Sequence, residues 1–400
     1  MADNSTDSNQ GRLQPFTLLA LMAVAMPLAF SVWQALLNNF SIDRAAFTGA
    51  EIGILQSLRE VPGFLSFTVV FLLIWFREQR IALVSMMVMG IGVAITGFFP
   101  SVIGLYLTTV LMSFGFHYYE AVNQSLALQW LDKSDAAHNL GRLIAFASGS
   151  SLLAYGSVYV ALEFVGLSME TVYLIGGLVT LGIAIYAYLK FPVFPEQAEQ
   201  IKKPILRKRY WLFYALTFMS GARRQIFIVF AGFLMVEKFG FDAAAIAAMF
   251  FLNGAINMWA APRIGKLIVR WGERRALTLE YIGLICIFSA YAFVDSPWLA
   301  VLLYVLDHLF FSMAIAIKTY FQKIADPREV APTASVAFTI NHIAAVVLPV
   351  LYGALWLIAP AAVFLTGAAL SLLSLMLAQM IPDAPERGAE IRRRTTALTS

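Results

Sequence analysis

Hydrophobic residues in this 400-residue chain come as long continuous runs separated by short polar breaks, with no alternating or striped pattern. Crossing a hydrocarbon layer of ~30 Å takes about 20 helical residues. Twelve runs reach that scale, at residues 16–40, 51–76, 81–99, 101–131, 140–163, 170–191, 211–236, 243–266, 276–294, 297–322, 331–357 and 360–381. Only helices and closed barrels satisfy their backbone groups in lipid, and uninterrupted runs of this length predict helices. The breaks are short except at 192–210, PVFPEQAEQIKKPILRKRY, a basic linker. The expected organisation is an all-α polytopic membrane protein with an N-terminal tail (1–15), a six-helix half (16–191), the linker, a second six-helix half (211–381) and a C-terminal tail (382–400).

Composition agrees with this pattern. Hydrophobic residues make up 60% of the chain and charged ones only 13%, against ~45–50% and ~25% in soluble domains. The net charge of +4 raises the question of a nucleic-acid partner, and the positions of the charges answer it. With the N-terminus placed in the cytoplasm, 23 of the 28 lysines and arginines fall on the inner side, and only Arg44 and Lys238 on the outer. Arg59, Arg223 and Arg224 lie within spans. This bias orients a membrane protein with both termini inside, so the basic charge is topological and no nucleic-acid partner is expected. The polar N-terminus lacks the basic and short apolar regions of a cleaved signal, and the first run is read as a retained span. The single cysteine, Cys286, excludes an intrachain disulfide.

The two halves repeat. At an offset of about 195 residues, VVFLLIWFREQRIA (69–82) matches IGKLIVRWGERRAL (264–277), pairing Leu72 with Leu267, Glu78 with Glu273 and Arg80 with Arg275. Parallel six-span repeats occur in secondary transporters. Within the second segment, Gly265, Leu267, Arg270, Gly272 and Arg274 resemble the loop motif G-x-L-x-D-R-x-G-R-R of the major facilitator superfamily, although its acidic position is Val269 here. The first-half loop, Trp75-Phe76-Arg77-Glu78, is more degenerate. The fifth span, FASGSSLLAYGSVY, lacks the Gly-Pro-x-x-Gly-Gly pattern of drug and proton antiporters. The resemblance covers nearly the whole chain. It implies a twelve-helix transporter of the cell (inner or plasma) membrane, a gating role for the motif, and a central cavity lined by spans 1, 4, 7 and 10.

Ionisable residues at membrane depth are the candidate chemistry, since such groups mark solute and ion pathways. Counting 1.5 Å per residue, Arg223 and Arg224 lie about 12 residues, or roughly 18 Å, inside the seventh span. His117, Tyr118, Tyr119, Glu120 and Asn123 lie deep in the fourth, and Asp307 and His308 in the tenth. Arg59 and Glu60, Asn253 and Asn257, and Asn341 and His342 approach the same level from three further spans. Two mid-bilayer arginines cost ~5–7 kcal/mol on the insertion scale. The twelve Leu, Ile, Phe and Val residues of that span return ~4–7 kcal/mol, so the pair needs partners or water. Neighbouring helical residues point ~100° apart; one arginine is expected to face a cavity and the other an acid on an adjacent span.

The solute-binding candidates are thus Arg223, Arg224, His117, Glu120, Asn123, Asp307, His308 and Asn257. Guanidinium groups suit carboxylate or phosphate, which points to an organic anion. Glu120, Asp307 and His117 are the candidates for proton coupling. The same His and acid groups also read as a packing network, or as ligands in a transition-metal carrier. A non-transporting receptor or assembly subunit on the same scaffold is the alternative from another class. No P-loop, dinucleotide-binding or hydrolase motif is present; no enzyme activity, cofactor or resident metal is expected. The expected partners are a small solute, H⁺ and the lipid bilayer, and a monomer is the expected state.

Overall fold

A computed structural model describes residues 14–131, 136–195, 206–326 and 329–392. The tail residues 1–13 and 393–400 and the linker residues 196–205 lie outside the described residues.

The described chain is helical, with one isolated bridge between Glu386 and Ala389. In order, the helices are α1 (Pro15–Ala45), α2 (Gly49–Phe64), α3 (Glu78–Thr96), α4 (Val102–Trp130), α5 (Ala136–Glu163) and α6 (Met169–Lys190). There follow α7 (Lys208–Glu237), α8 (Ala243–Trp271), α9 (Glu273–Ala292), α10 (Pro297–Ile324), α11 (Val330–Ile358) and α12 (Pro360–Ala378). Eleven of the helices among the described residues are long and apolar enough to cross a membrane. The sequence states the ends of many of them. Pro15, Pro297 and Pro360 sit in first turns, where a missing N–H costs nothing. Thr48 and Glu51 form a capping box at the start of α2, and the Ser101, Ser168 and Ser296 side chains cap α4, α6 and α10.

The exception to the eleven is α2. The run at 51–76 reads as one span, but the helix stops at Phe64, passes through a 3-10 turn (Leu65–Thr68) and resumes only for Val69–Leu72. Pro62 lies just before the break. A proline removes one ladder hydrogen bond and crowds the carbonyl four residues back. The hydroxyl of Thr68 then donates to the Leu65 carbonyl at 2.7 Å. The run is long enough to span, but its α-helix is interrupted.

The described residues of 1–200 together with 236–254 form one compact unit, and those of 201–235 together with 255–400 form the other. In the first unit α3 packs closely on α4 and α6. A Cβ on Gly92 would come within 2.6 Å of the Met112 nitrogen, and one on Gly90 within 2.9 Å of the Gly177 carbonyl, so these glycines allow the backbones to touch. Residues 236–254 join this unit through the Asn39 amide, which donates to the Phe241 carbonyl at 2.7 Å, and through Phe250, whose ring meets Tyr155 edge-on at 5.4 Å. In the second unit α9 lies along α12, with Tyr291 stacked on Phe364 at 5.0 Å.

The repeat seen in sequence is also a repeat of contacts. Glu78, in the first turn of α3, accepts from Ser125 at 2.9 Å and from Gln129 at 2.8 Å, both on the last turns of α4. Glu273, in the first turn of α9, pairs at 2.6 Å with Lys323 on the last turn of α10. Both acids are buried, and each ties the start of one helix to the end of the next. An acid at a helix N-terminus is also favoured by the helix dipole.

Candidate functional site

The two arginines of α7 part company in the structure. Arg223 is 0% exposed, whereas Arg224 is half-buried. Directly after them the helix widens into a π segment, Ile226–Ala231, before returning to α geometry at Gly232. Such widenings shift the helix register and recur at functional sites.

Arg223 is enclosed by its own unit. One terminal nitrogen donates to the Ser374 hydroxyl on α12, and the other lies 3.4 Å from Glu280 Oε1 on α9. Its guanidinium carbon sits 4.5 Å from the centre of the Tyr281 ring, a cation–π contact. Glu280 is also 0% exposed. Asp307 on α10 is fully buried as well and lies within the electrostatic reach of Arg223 and Glu280. Neither oxygen of Asp307 has a hydrogen-bond partner among the described residues, and neither does Glu280 Oε2. Gln225, buried on the same helix as the arginines, likewise has both amide atoms without a hydrogen-bond partner there.

Arg224 turns to α11, where Nη2 donates to Asn341 Oδ1 at 3.4 Å. The two helices run close at this level, because a Cβ on Gly221 would meet the Asn341 amide at 3.1 Å. His342, next to Asn341, has Nδ1 at 3.0 Å from the Phe338 carbonyl and its ring against Phe338. His308 is held in the same way, with Nδ1 2.9 Å from the Tyr304 carbonyl and the ring edge-on to Phe227 at 4.6 Å. Asn257 on α8 accepts from Ser312 of α10 at 3.1 Å.

In the first unit, His117, Glu120 and Asn123 share α4. His117 Nδ1 lies 3.7 Å from Glu120 Oε2; the histidine is buried and the glutamate side chain 44% exposed. Asn123 is half-buried one turn further on. Arg59 and Glu60 are buried and hydrogen-bonded to each other on α2, and the Arg59 carbonyl accepts from Ser113 of α4.

The loop that carries the motif is shorter than the apolar runs ending at 266 and resuming at 276 predict, because α8 continues through Leu267 and Arg270 to Trp271. The turn is Gly272 alone, at φ +81°, a conformation that glycine adopts without steric cost. Arg274 ion-pairs with Asp383 of the C-terminal segment. That segment is docked through residue 392: Arg387 pairs with Asp326 at 2.7 Å, and Tyr320 donates to the Glu390 carbonyl at 2.6 Å.

Sequence reasoning missed Glu280. With the ninth span started at residue 276, Glu280 falls just under the surface. The helix starts at Glu273, which puts Glu280 seven residues in, about 10 Å along the axis. Two tyrosines, Tyr281 and Tyr291, on the same helix were a further signal of a polar interior.

Residues 207–210, at the start of α7, and the start of α11 are joined by another charge cluster. Glu329 accepts from Arg207 Nε at 2.9 Å, Arg209 at 2.5 Å and the Tyr210 hydroxyl at 2.8 Å. The Tyr210 hydroxyl, then Arg209 and Arg207, hold the Glu329 carboxyl down from 4.5 to about 2. A depressed folded value means this tether is complete above the ordinary carboxylate range and is lost only as pH falls toward the folded value of about 2. Glu329→Gln weakens it at neutral pH. The expected result is several-fold faster tryptic cleavage after Arg207, Lys208 and Arg209 in the variant, with the wild-type rate as the contrary outcome.

Comparison with known proteins follows the same lines. The family model described as Major Facilitator Superfamily matches residues 15–349. A mutant of the nucleoside transporter NupG superposes with a TM-score of 0.76 at 14% identity, over 92% of this chain and 99% of that one. A bacterial homolog to human lysosomal transporter Spinster, inward-facing and occupied, gives a TM-score of 0.75 at 12% identity, over 98% and 100%. At these identities the likeness is one of fold. No curated protein matches the sequence.

Proposed function

Because the chain belongs to the major facilitator superfamily, we propose that it is a secondary transporter of a small organic anion, coupled to protons and working by alternating access. It is a multi-pass membrane protein, placed by this reading in the cell membrane, and the lysine and arginine bias favours both termini and the linker in the cytoplasm. The observation that carries the reading is the unequal burial of Arg223 and Arg224. One guanidinium is sealed against a carboxylate; its neighbour sits half-buried beside the amide of Asn341. A half-buried guanidinium at this depth, with a hydrogen-bonding amide alongside, suits an anionic group. Asn257 and His308 are secondary solute candidates, as are His117, Glu120 and Asn123 of the first unit. His117 and the exposed Glu120 offer a route for protons.

Uptake into proteoliposomes under an imposed pH gradient tests this reading. Organic-anion uptake is expected to follow the gradient, and Glu120→Gln to blunt the gradient dependence by about 10-fold or more. Wild-type transport by Arg223→Gln, Arg224→Gln and Glu120→Gln alike overturns it. Solute binding without uptake points instead to a receptor on this scaffold.

A further inference from the structure

Asp307 is a buried carboxylate with two oxygens and no hydrogen-bond partner for either among the described residues. Glu280, also fully buried, has one oxygen 3.4 Å from Arg223 and the other without a partner. Arg223 is the cation in electrostatic contact with both acids. Among the described residues, the other polar groups facing them are hydroxyls and one imidazole. Tyr281 and Tyr291 come from α9, Ser374 from α12, and Tyr304 and His308 from α10, the histidine being engaged with its own helix carbonyl. If all three ionise, the cluster carries two negative charges and one positive in a site closed to solvent. An uncompensated charge in such a place is costly, and one bound cation would make the cluster neutral.

We propose that Arg223, Glu280 and Asp307 form a proton site enclosed within the second unit, in which the two carboxylates hold one proton between them. This deepens the proton-coupled reading above and rests on it. A proton suits the site better than a metal ion, which takes six or more oxygen ligands. The described part of this unit brings no three His, Cys or acidic groups to one point. Protonation turns one carboxylate oxygen from an acceptor into an O–H donor, supplying a hydrogen bond that the cluster lacks. Deprotonation passes that proton to water and leaves one uncompensated negative charge beside α7, the helix that also carries Arg224.

Charge counting makes the site testable without a known solute. Infrared difference spectra of the reconstituted protein across a pH titration are expected to show the carbonyl band of one protonated carboxylic acid. Asp307→Asn and Glu280→Gln each leave one acid against one arginine, so either change abolishes the band. Arg223→Gln leaves two acids unmatched and doubles it. Should Asp307→Asn fail to fold, Asp307→Glu displaces the band instead. Spectra of Asp307→Asn and Glu280→Gln identical to wild type overturn the site, as does a band that responds to sodium and not to pH. A protein with the band but no solute uptake retains the site and loses the transport reading. Proton-driven uptake without the band does the reverse.

Discussion

Arg223→Leu lowers the stability of the protein by about 3–5 kcal/mol, the usual cost of removing one partner from a buried ion pair. The guanidinium touches α12 through Ser374 and α9 through Glu280 and Tyr281. Its removal therefore loosens three helices at once and leaves Glu280 and Asp307 facing each other with no cation. Much of the cost is that of neutralising a second buried acid with a proton, not the lost contact. The double variant Arg223→Leu, Glu280→Leu removes the pair, leaves Asp307 to hold the proton, and is expected to recover most of the stability, since buried pairs are often replaced by apolar residues at little cost. Thermal melts of the two variants and the wild type in detergent check this. A single variant that melts like wild type, or a double variant no better than the single, contradicts the account.

Arg224→Gln behaves in the opposite way. The side chain is half-buried where Arg223 is sealed, so its loss disturbs the fold far less than that of Arg223. If it binds the solute's anionic group, truncation removes a charge-assisted contact, and such losses cost about 2–5 kcal/mol. At 1.4 kcal/mol per decade this weakens solute affinity by at least ~25-fold. Arg224→Lys recovers the charge but not the planar two-nitrogen fork, and its affinity falls between the two. Lysine and glutamine variants with equal affinity point to a packing role.

What the sequence discloses, and what it hides, follows from the kind of information each feature carries. Long apolar runs report burial in lipid directly, and eleven of them became helices able to span it. The interruption of α2 was harder to see because hydropathy averages over Pro62, while the backbone does not. Adjacency of Arg223 and Arg224 required them to point apart, and that much could be read from helix geometry. Which of the two would be sealed depended on Glu280, whose depth rested on a helix start three residues earlier than the apolar run suggested. The motif's glycine, Gly272, marks a turn in sequence and in structure. The helical path of the residues before it is tertiary, since α8 continues for a further turn beyond its apolar core. The π segment after Arg224 has no proline or glycine within Ile226–Ala231 to announce it.

The central claim is the division of labour on α7, with Arg223 holding the helices together and Arg224 meeting the solute. Ligand-induced thermal shift tests it most directly, using a panel of organic anions, sugars, amino acids and drugs against the wild type and Arg224→Gln. The account predicts that an organic anion raises the melting temperature of the wild type and leaves Arg224→Gln unmoved, while the unliganded proteins melt alike. An anion that stabilises both equally, or stabilisation only by uncharged solutes, contradicts it.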